Sequence, residues 1–120
     1  MKGFFKSFVF AANGILVALK TEQNFKVQLV IGLFVIIASV YLQITKLDWC
    51  VILLAIGLVL GLELINSAVE NLVNLVMPEK NTVAGRVKDF AAGAVLMGTI
   101  AAAIVGVLVF WPYLISAFNV

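Results

Sequence analysis

Apolar residues run almost unbroken over Val27–Leu42, Trp49–Met77 and Phe90–Phe110, with short polar stretches between them. A helix needs about 20 residues to cross the hydrocarbon layer, so each run can span it, the first with a few flanking residues added. The segment before them follows a different pattern. On a wheel of about 100° per residue, Phe4, Phe5, Phe8, Ile15, Leu16 and Leu19 share one sector, and Lys2, Lys6, Asn13 and Lys20 take the other side. Phe10 and Val17 blur the division. That pattern predicts a helix lying in the membrane interface, its lysines towards anionic headgroups; a fourth span is the competing reading. The expected architecture is all-α and integral to the membrane, in one domain over residues 1–120. It has an amphipathic surface helix over 1–26 and transmembrane helices over 27–44, 48–77 and 83–112.

Polar residues break the second run in a regular way. Glu63, Asn66, Ser67, Glu70 and Asn74 follow one another at intervals of 3, 1, 3 and 4, which places them within about 100° of one another on a helix. Leu64, Ile65, Val69, Leu72, Val73 and Val76 cover the remainder. A carboxylate at the middle of a membrane helix costs about 2.5 to 3.5 kcal/mol. Two of them are tolerated only against a partner, a metal or a wet cavity. The amides and Ser67 alone would suit hydrogen-bonded helix packing; two glutamates ask for more. The GLVLG at Gly57–Gly61 is a GxxxG pattern, read as close helix packing.

Composition confirms the membrane and narrows the chemistry. Hydrophobic residues make up 64% of the chain and charged residues 12%, with a mean hydropathy of +1.19, too few polar groups to cover a soluble domain. There is no histidine, the commonest general base and metal ligand. The single cysteine, Cys50, excludes an internal disulfide. A net charge of +2 without a basic motif points away from nucleic acid. MKGFFKSF does not read as a signal peptide, because Asn13 and Lys20-Thr21-Glu22 interrupt it and no small-residue cleavage site follows. Lys2, Lys6, Lys20 and Lys26 precede the first span, Lys46 alone separates the first from the second, Lys80, Arg86 and Lys88 precede the third, and no basic residue follows. By the positive-inside rule the N-terminus and residues 78–89 face the cytoplasm and the C-terminus lies outside. Tyr41 and Trp49 flank the outer loop and Trp111 and Tyr113 close the last span, where aromatic belts sit. Pro78 stops the second helix, and Asn81 or Thr82 can cap the next.

These parts add up to a reaction. Glu63 and Glu70 stand seven residues apart, about 10 Å along the axis, which suits two tasks at two depths. Glu70 and Glu22 lie near the cytoplasmic surface, where two carboxylates can hold a hard cation such as Mg2+. Glu63 lies deeper and can accept a proton from a hydroxyl. Lys88 and Asp89 open the third span, where a lysine at a helix N-terminus is placed to meet an anion. In-line phosphoryl transfer needs charge neutralisation, positioning and a base, and a lipid alcohol brings its hydroxyl to the depth of Glu63.

ELINSAVENLVN at Glu63–Asn74, followed by GRVKDFAAGAVL at Gly85–Leu96 and preceded by NGILVALKTEQNF at 13–25, closely resembles the prokaryotic diacylglycerol kinase family, which includes undecaprenol kinases of Gram-positive bacteria. The resemblance covers nearly the whole chain, in order. It implies a homotrimer whose sites are shared between neighbouring subunits. Glu63 would be the catalytic base with Asn66 beside it, and Glu22 and Glu70 would carry Mg2+ with ATP. Lys88 and Asp89 would meet the nucleotide phosphates, and Glu79, Lys80 and Asn81 would lie beside the nucleotide. Three positions depart from the family: Asn74 stands where aspartate is usual, Gln28 where relatives often carry histidine, and Phe10 where some place a tyrosine. The first puts a secondary polar contact in doubt. The short basic N-terminus and TEQNF lean towards the undecaprenol kinases. The soluble-kinase phosphate loop G-x-x-x-x-G-K-[ST] is absent.

The competing reading is a small non-enzymatic membrane protein: a channel, carrier or assembly subunit. A channel would continue the polar stripe across the bilayer, whereas Val51–Leu62 carries no polar side chain. The expected activity is transfer of the ATP γ-phosphate to undecaprenol or diacylglycerol.

Overall fold

The computed structural model describes residues 1–119 as four helices, α1 Lys2–Thr21, α2 Gln23–Leu42, α3 Lys46–Val76 and α4 Thr82–Phe118. All four are long and apolar enough, by length and composition, to cross a membrane. Large apolar side chains lie exposed along every helix, Phe34, Leu54, Met97 and Leu108 among them. In water that surface would drive aggregation; in lipid it is solvated.

The helix boundaries have local causes. One extended residue, Glu22 (φ −104°, ψ 107°), separates α1 from α2, so α2 starts four residues before the apolar run at Val27 does. Gln43 ends α2 in the left-handed region (φ 52°, ψ 53°). Its N–H bonds Val40 O, and Ile44 N–H reaches back to Ser39 O at 3.3 Å, a Schellman-type closure that buries Ile44. Thr45 then caps α3, its Oγ1 accepting from Asp48 N–H at 3.1 Å. Between Asn81 and Thr82 the structure selects Asn81 as the α4 cap, with Oδ1 accepting from Ala84 N–H at 3.0 Å. Pro112 lies inside α4, which runs on to Phe118 rather than closing at residue 112. Tyr113, one residue later, anchors that last stretch: its hydroxyl donates to Asp48 Oδ2 at 2.7 Å and accepts from Thr45 N–H at 3.1 Å.

α3 is the central helix, packing chiefly against α4 and less extensively against α2. Two glycines make those approaches possible. A Cβ on Gly32 would come 3.2 Å from Ile56 Cγ2, and one on Gly98 would come 2.6 Å from Leu62 Cδ1. The GxxxG glycines do not serve this purpose within the chain. A Cβ on Gly57 or Gly61 would meet nothing within 4 Å, because α2 and α4 cross α3 at the faces of Ile56 and Leu62 instead. Gly98→Ala is therefore expected to cost little, since only the tip of Leu62 must turn. Gly98→Val is expected to lose about 1–3 kcal/mol by overpacking, read as a lower unfolding temperature in detergent micelles. A valine variant as stable as the parent would refute close α3–α4 contact here.

Candidate active site

The α3 stripe turns into the protein, not towards lipid. Glu63 is 3% exposed, Asn66 7% and Ser67 8%, while Glu70 is half-buried and Asn74 exposed. The wheel geometry explains the order: Glu63, Asn66 and Glu70 form an i, i+3, i+7 line, and burial falls away as that line leaves the shelter of α2.

Three hydrogen bonds organise this line. Gln28 Nε2, on α2, donates to Glu63 Oε2 at 3.2 Å. Asn66 Nδ2 donates to Glu70 Oε1 at 3.4 Å, one helical turn along α3. Lys88 Nζ, on α4, donates to Asn74 Oδ1. Among the described residues, two side-chain acceptors stay buried without a hydrogen-bond partner: Gln28 Oε1 and Asn66 Oδ1. An unfilled buried acceptor costs about 1–3 kcal/mol, so both atoms remain open to a hydrogen-bond donor or a cation.

Three clefts surround these groups. The first, about 270 Å3 between α2, α3 and α4, is lined by Gly32, Ile52, Ile56, Ala103 and Phe110, and Gln28 supplies the amide in its otherwise almost wholly apolar wall. The second, about 400 Å3, brings Glu22, Thr21 and Ala18 against Leu64, Ser67 and Asn71 of α3. It thus joins Glu22 to the helix that carries Glu63 and Glu70. The third is an open groove of about 610 Å3 at the start of α4, lined by Lys80, Asn81, Thr82, Gly85, Arg86 and Asp89.

The expected site residues thus fall into two groups. Glu63, Asn66 and Glu70 line up on α3, with Glu22 facing the same helix across the second cleft. Lys80, Asn81 and Asp89 gather in the groove at the α3–α4 turn, where Glu79 is also exposed. Lys88 and Asp89, adjacent in sequence, part company: Asp89 lines the groove while Lys88 reaches α3. Asn81 already spends its Oδ1 as a helix cap, which leaves its amide N–H groups for a ligand. Three residues gain importance over the sequence reading. Gln28 touches Glu63, Asn74 holds Lys88, and Arg86 adds a cation to the groove. The departures from the family pattern at 28 and 74 were the signal for the first two; Arg86 bore only on orientation.

One carboxylate buried on a membrane helix, an apolar cleft lined by its amide partner Gln28 and a groove holding Lys80 and Arg86 beside the α4 N-terminus fit transfer of an anionic group to a lipid. Comparison with known proteins agrees. The model of the prokaryotic diacylglycerol kinase family matches residues 9–110. The undecaprenol kinase of Bacillus subtilis is 38% identical over 111 residues, covering 92% of this chain and 90% of that one. The diacylglycerol kinase of Synechocystis sp. is 39% identical over 111 residues, 92% of this chain and 63% of the relative. That of Helicobacter pylori strain J99 is 31% identical over 116 residues, 94% and 84% of the two chains. With a family match across most of its length, the chain belongs to the prokaryotic diacylglycerol kinase family and is a membrane lipid kinase.

Proposed function

We propose that the chain transfers the ATP γ-phosphate to the hydroxyl of a lipid alcohol, undecaprenol or diacylglycerol, with Glu63 as the base. The observation that carries this is a buried carboxylate on α3 whose amide partner, Gln28, also lines the apolar cleft between α2, α3 and α4. A hydrocarbon tail in that cleft would bring its head to Glu63. The lipid oxygen forms the new bond to phosphorus as the bridging bond to ADP breaks, and the hydroxyl proton passes to the Glu63 carboxylate. Removing that proton raises the nucleophilicity of the attacking oxygen, which is the task of a general base. Of the two lipids, undecaprenol is favoured by the B. subtilis match, which runs nearly end to end on both chains.

The residues present suit Mg2+ carried with ATP. Glu70 keeps one oxygen clear of the Asn66 amide, the neighbouring Asn66 Oδ1 has no partner, and Glu22 adds a carboxylate across the second cleft. These are hard oxygen donors of the kind this ion takes alongside phosphates and water. When bound, the ion neutralises phosphate charge. Lys80, Arg86 and the α4 N-terminus would hold the phosphates in the groove, with Asp89 and the Asn81 amide beside them and Glu79 at its rim. Lys88 would join them from α3's side. Its partner Asn74 is neutral, so the pairing leaves the full positive charge of Lys88 for a phosphate, whereas an aspartate there would cancel part of it.

In this reading α1 lies on the membrane surface and α2, α3 and α4 cross it. The molecule measures 59 × 41 × 22 Å. Three upright helices of about 10 Å diameter need a cross-section of about 20–25 Å, and a 20-residue helix lying sideways accounts for the longer 41 Å side. The N-terminus and residues 78–89 face the cytoplasm and the C-terminus lies outside, as the lysine distribution requires. A homotrimer with sites shared between subunits is supported by the open strip at Gly57 and Gly61, narrow enough to admit another helix.

The reading is tested by reconstituting the protein with labelled ATP and undecaprenol or diacylglycerol. Label is expected in the organic phase with either, faster with undecaprenol. No label with any lipid alcohol at saturating Mg2+ would overturn it.

A further inference from the structure

Glu63 needs more than burial to act as a base; one of its oxygens must face the incoming hydroxyl. A carboxylate on a flexible glutamate arm has three side-chain torsions to settle, and nothing else on α3 is hydrogen-bonded to it. The group that restrains it comes from α2: the Gln28 amide, through Nε2 to Oε2 at 3.2 Å. That bond occupies one carboxylate oxygen and leaves Oε1 of Glu63 as the proton acceptor. We propose that Gln28 is the positioning residue of this reaction, holding the Glu63 carboxylate at the end of the lipid cleft; the proposal rests on the lipid kinase reading above.

Two further observations support it. Gln28 is half-buried and lines the wall of the first cleft, so it stands between the hydrocarbon slot and the carboxylate. Its carbonyl, Oε1, is buried without a partner, as is Asn66 Oδ1 on the next polar position of α3. The Gln28 carbonyl beside Glu63 is therefore an acceptor still open to a donor. A neutral alcohol, which carries a proton to give, meets that acceptor favourably. The same amide thus aims the base and offers its carbonyl to the incoming alcohol. The α2–α3 approach that sets its reach depends on Gly32 against Ile56, one helical turn away.

The test compares Gln28→Met, close in length but without a donor, with Gln28→His, whose ring N–H can still donate. Both are made in the full-length protein and assayed in mixed micelles with undecaprenol and MgATP. A misdirected base costs about 10- to 100-fold in rate. The methionine variant is expected to lose that much kcat, with KM for MgATP and the unfolding temperature unchanged. The histidine variant is expected to recover most of it. A merely structural glutamine would lower the unfolding temperature and would move both kinetic constants through loss of folded protein. If Gln28→Met fails to assemble, Gln28→Leu takes its place in the same comparison. Parental kcat in a folded variant lacking the donor overturns the proposal, as does a folded histidine variant no better than methionine. If Glu63→Gln is inactive while Gln28→Met keeps parental kcat, the positioning role alone falls. If Glu63→Gln is fully active, the underlying base assignment falls with it.

Discussion

Replacing Glu63 by glutamine is expected to lower phosphate transfer by about 10²–10⁴-fold, the usual contribution of a general base, while leaving the protein assembled. The shape is conserved, so the amide of Gln28 can still donate to the new side-chain oxygen in place of Glu63 Oε2. Burial makes the separation of effects clean. At 3% exposure the parent holds a carboxylate where charge is costly, and a neutral amide removes that cost. The unfolding temperature of Glu63→Gln should equal or exceed that of the parent even as activity vanishes. Single-turnover transfer from labelled ATP, together with thermal unfolding in the same micelles, checks both halves. A well-folded variant that transfers at the parental rate would remove Glu63 from the mechanism.

Glu70→Gln is expected to raise the Mg2+ concentration needed for half-maximal rate by about 10- to 100-fold, the scale on which groups supporting a metal site act. Glu70 is half-buried and receives only one hydrogen bond, from Asn66 Nδ2 at 3.4 Å. Its other oxygen is free to meet a cation. An amide keeps the hydrogen-bonded turn with Asn66 but withdraws the negative charge. The defect should shrink as Mg2+ rises and leave the response to lipid concentration unaltered. Rates measured across a Mg2+ series at fixed ATP decide the matter; identical curves for parent and variant would place the cation elsewhere.

The two substitutions also separate the two depths of the site. Loss at Glu63 should not be relieved by Mg2+, because the missing function is proton acceptance. Loss at Glu70 should be, because the missing function is charge.

Much of this molecule was legible in one dimension. The polar stripe from Glu63 to Asn74 obeys the helical period, and that period depends only on backbone geometry within one segment. The helix ends at Pro78 and Asn81 are local for the same reason: a missing N–H and a side-chain cap act within four residues. Other features were not readable there. The GLVLG motif matched a packing pattern, yet Gly32 and Gly98 make the close approaches inside the chain. A glycine is useful only where another helix crosses, and crossing points are set by the whole bundle. Pro112 lies inside α4, and Tyr113 ties the continuing helix to Asp48 and Thr45, more than sixty positions earlier.

Sequence alone determined the membrane, the helical content, the chemistry available and the face of α3 on which it lies, because hydropathy and helical periodicity are summed over neighbours. Tertiary structure decided which partner each polar group meets. Gln28 and Glu63 are 35 residues apart, and Asn74 and Lys88 are 14. Whether such pairs touch depends on side-chain volumes at Gly32, Ile56, Leu62 and Gly98, which fix how closely α2 and α4 approach α3. A hydrogen bond reaches about 3 Å, so the spacing of the helices decides whether it forms.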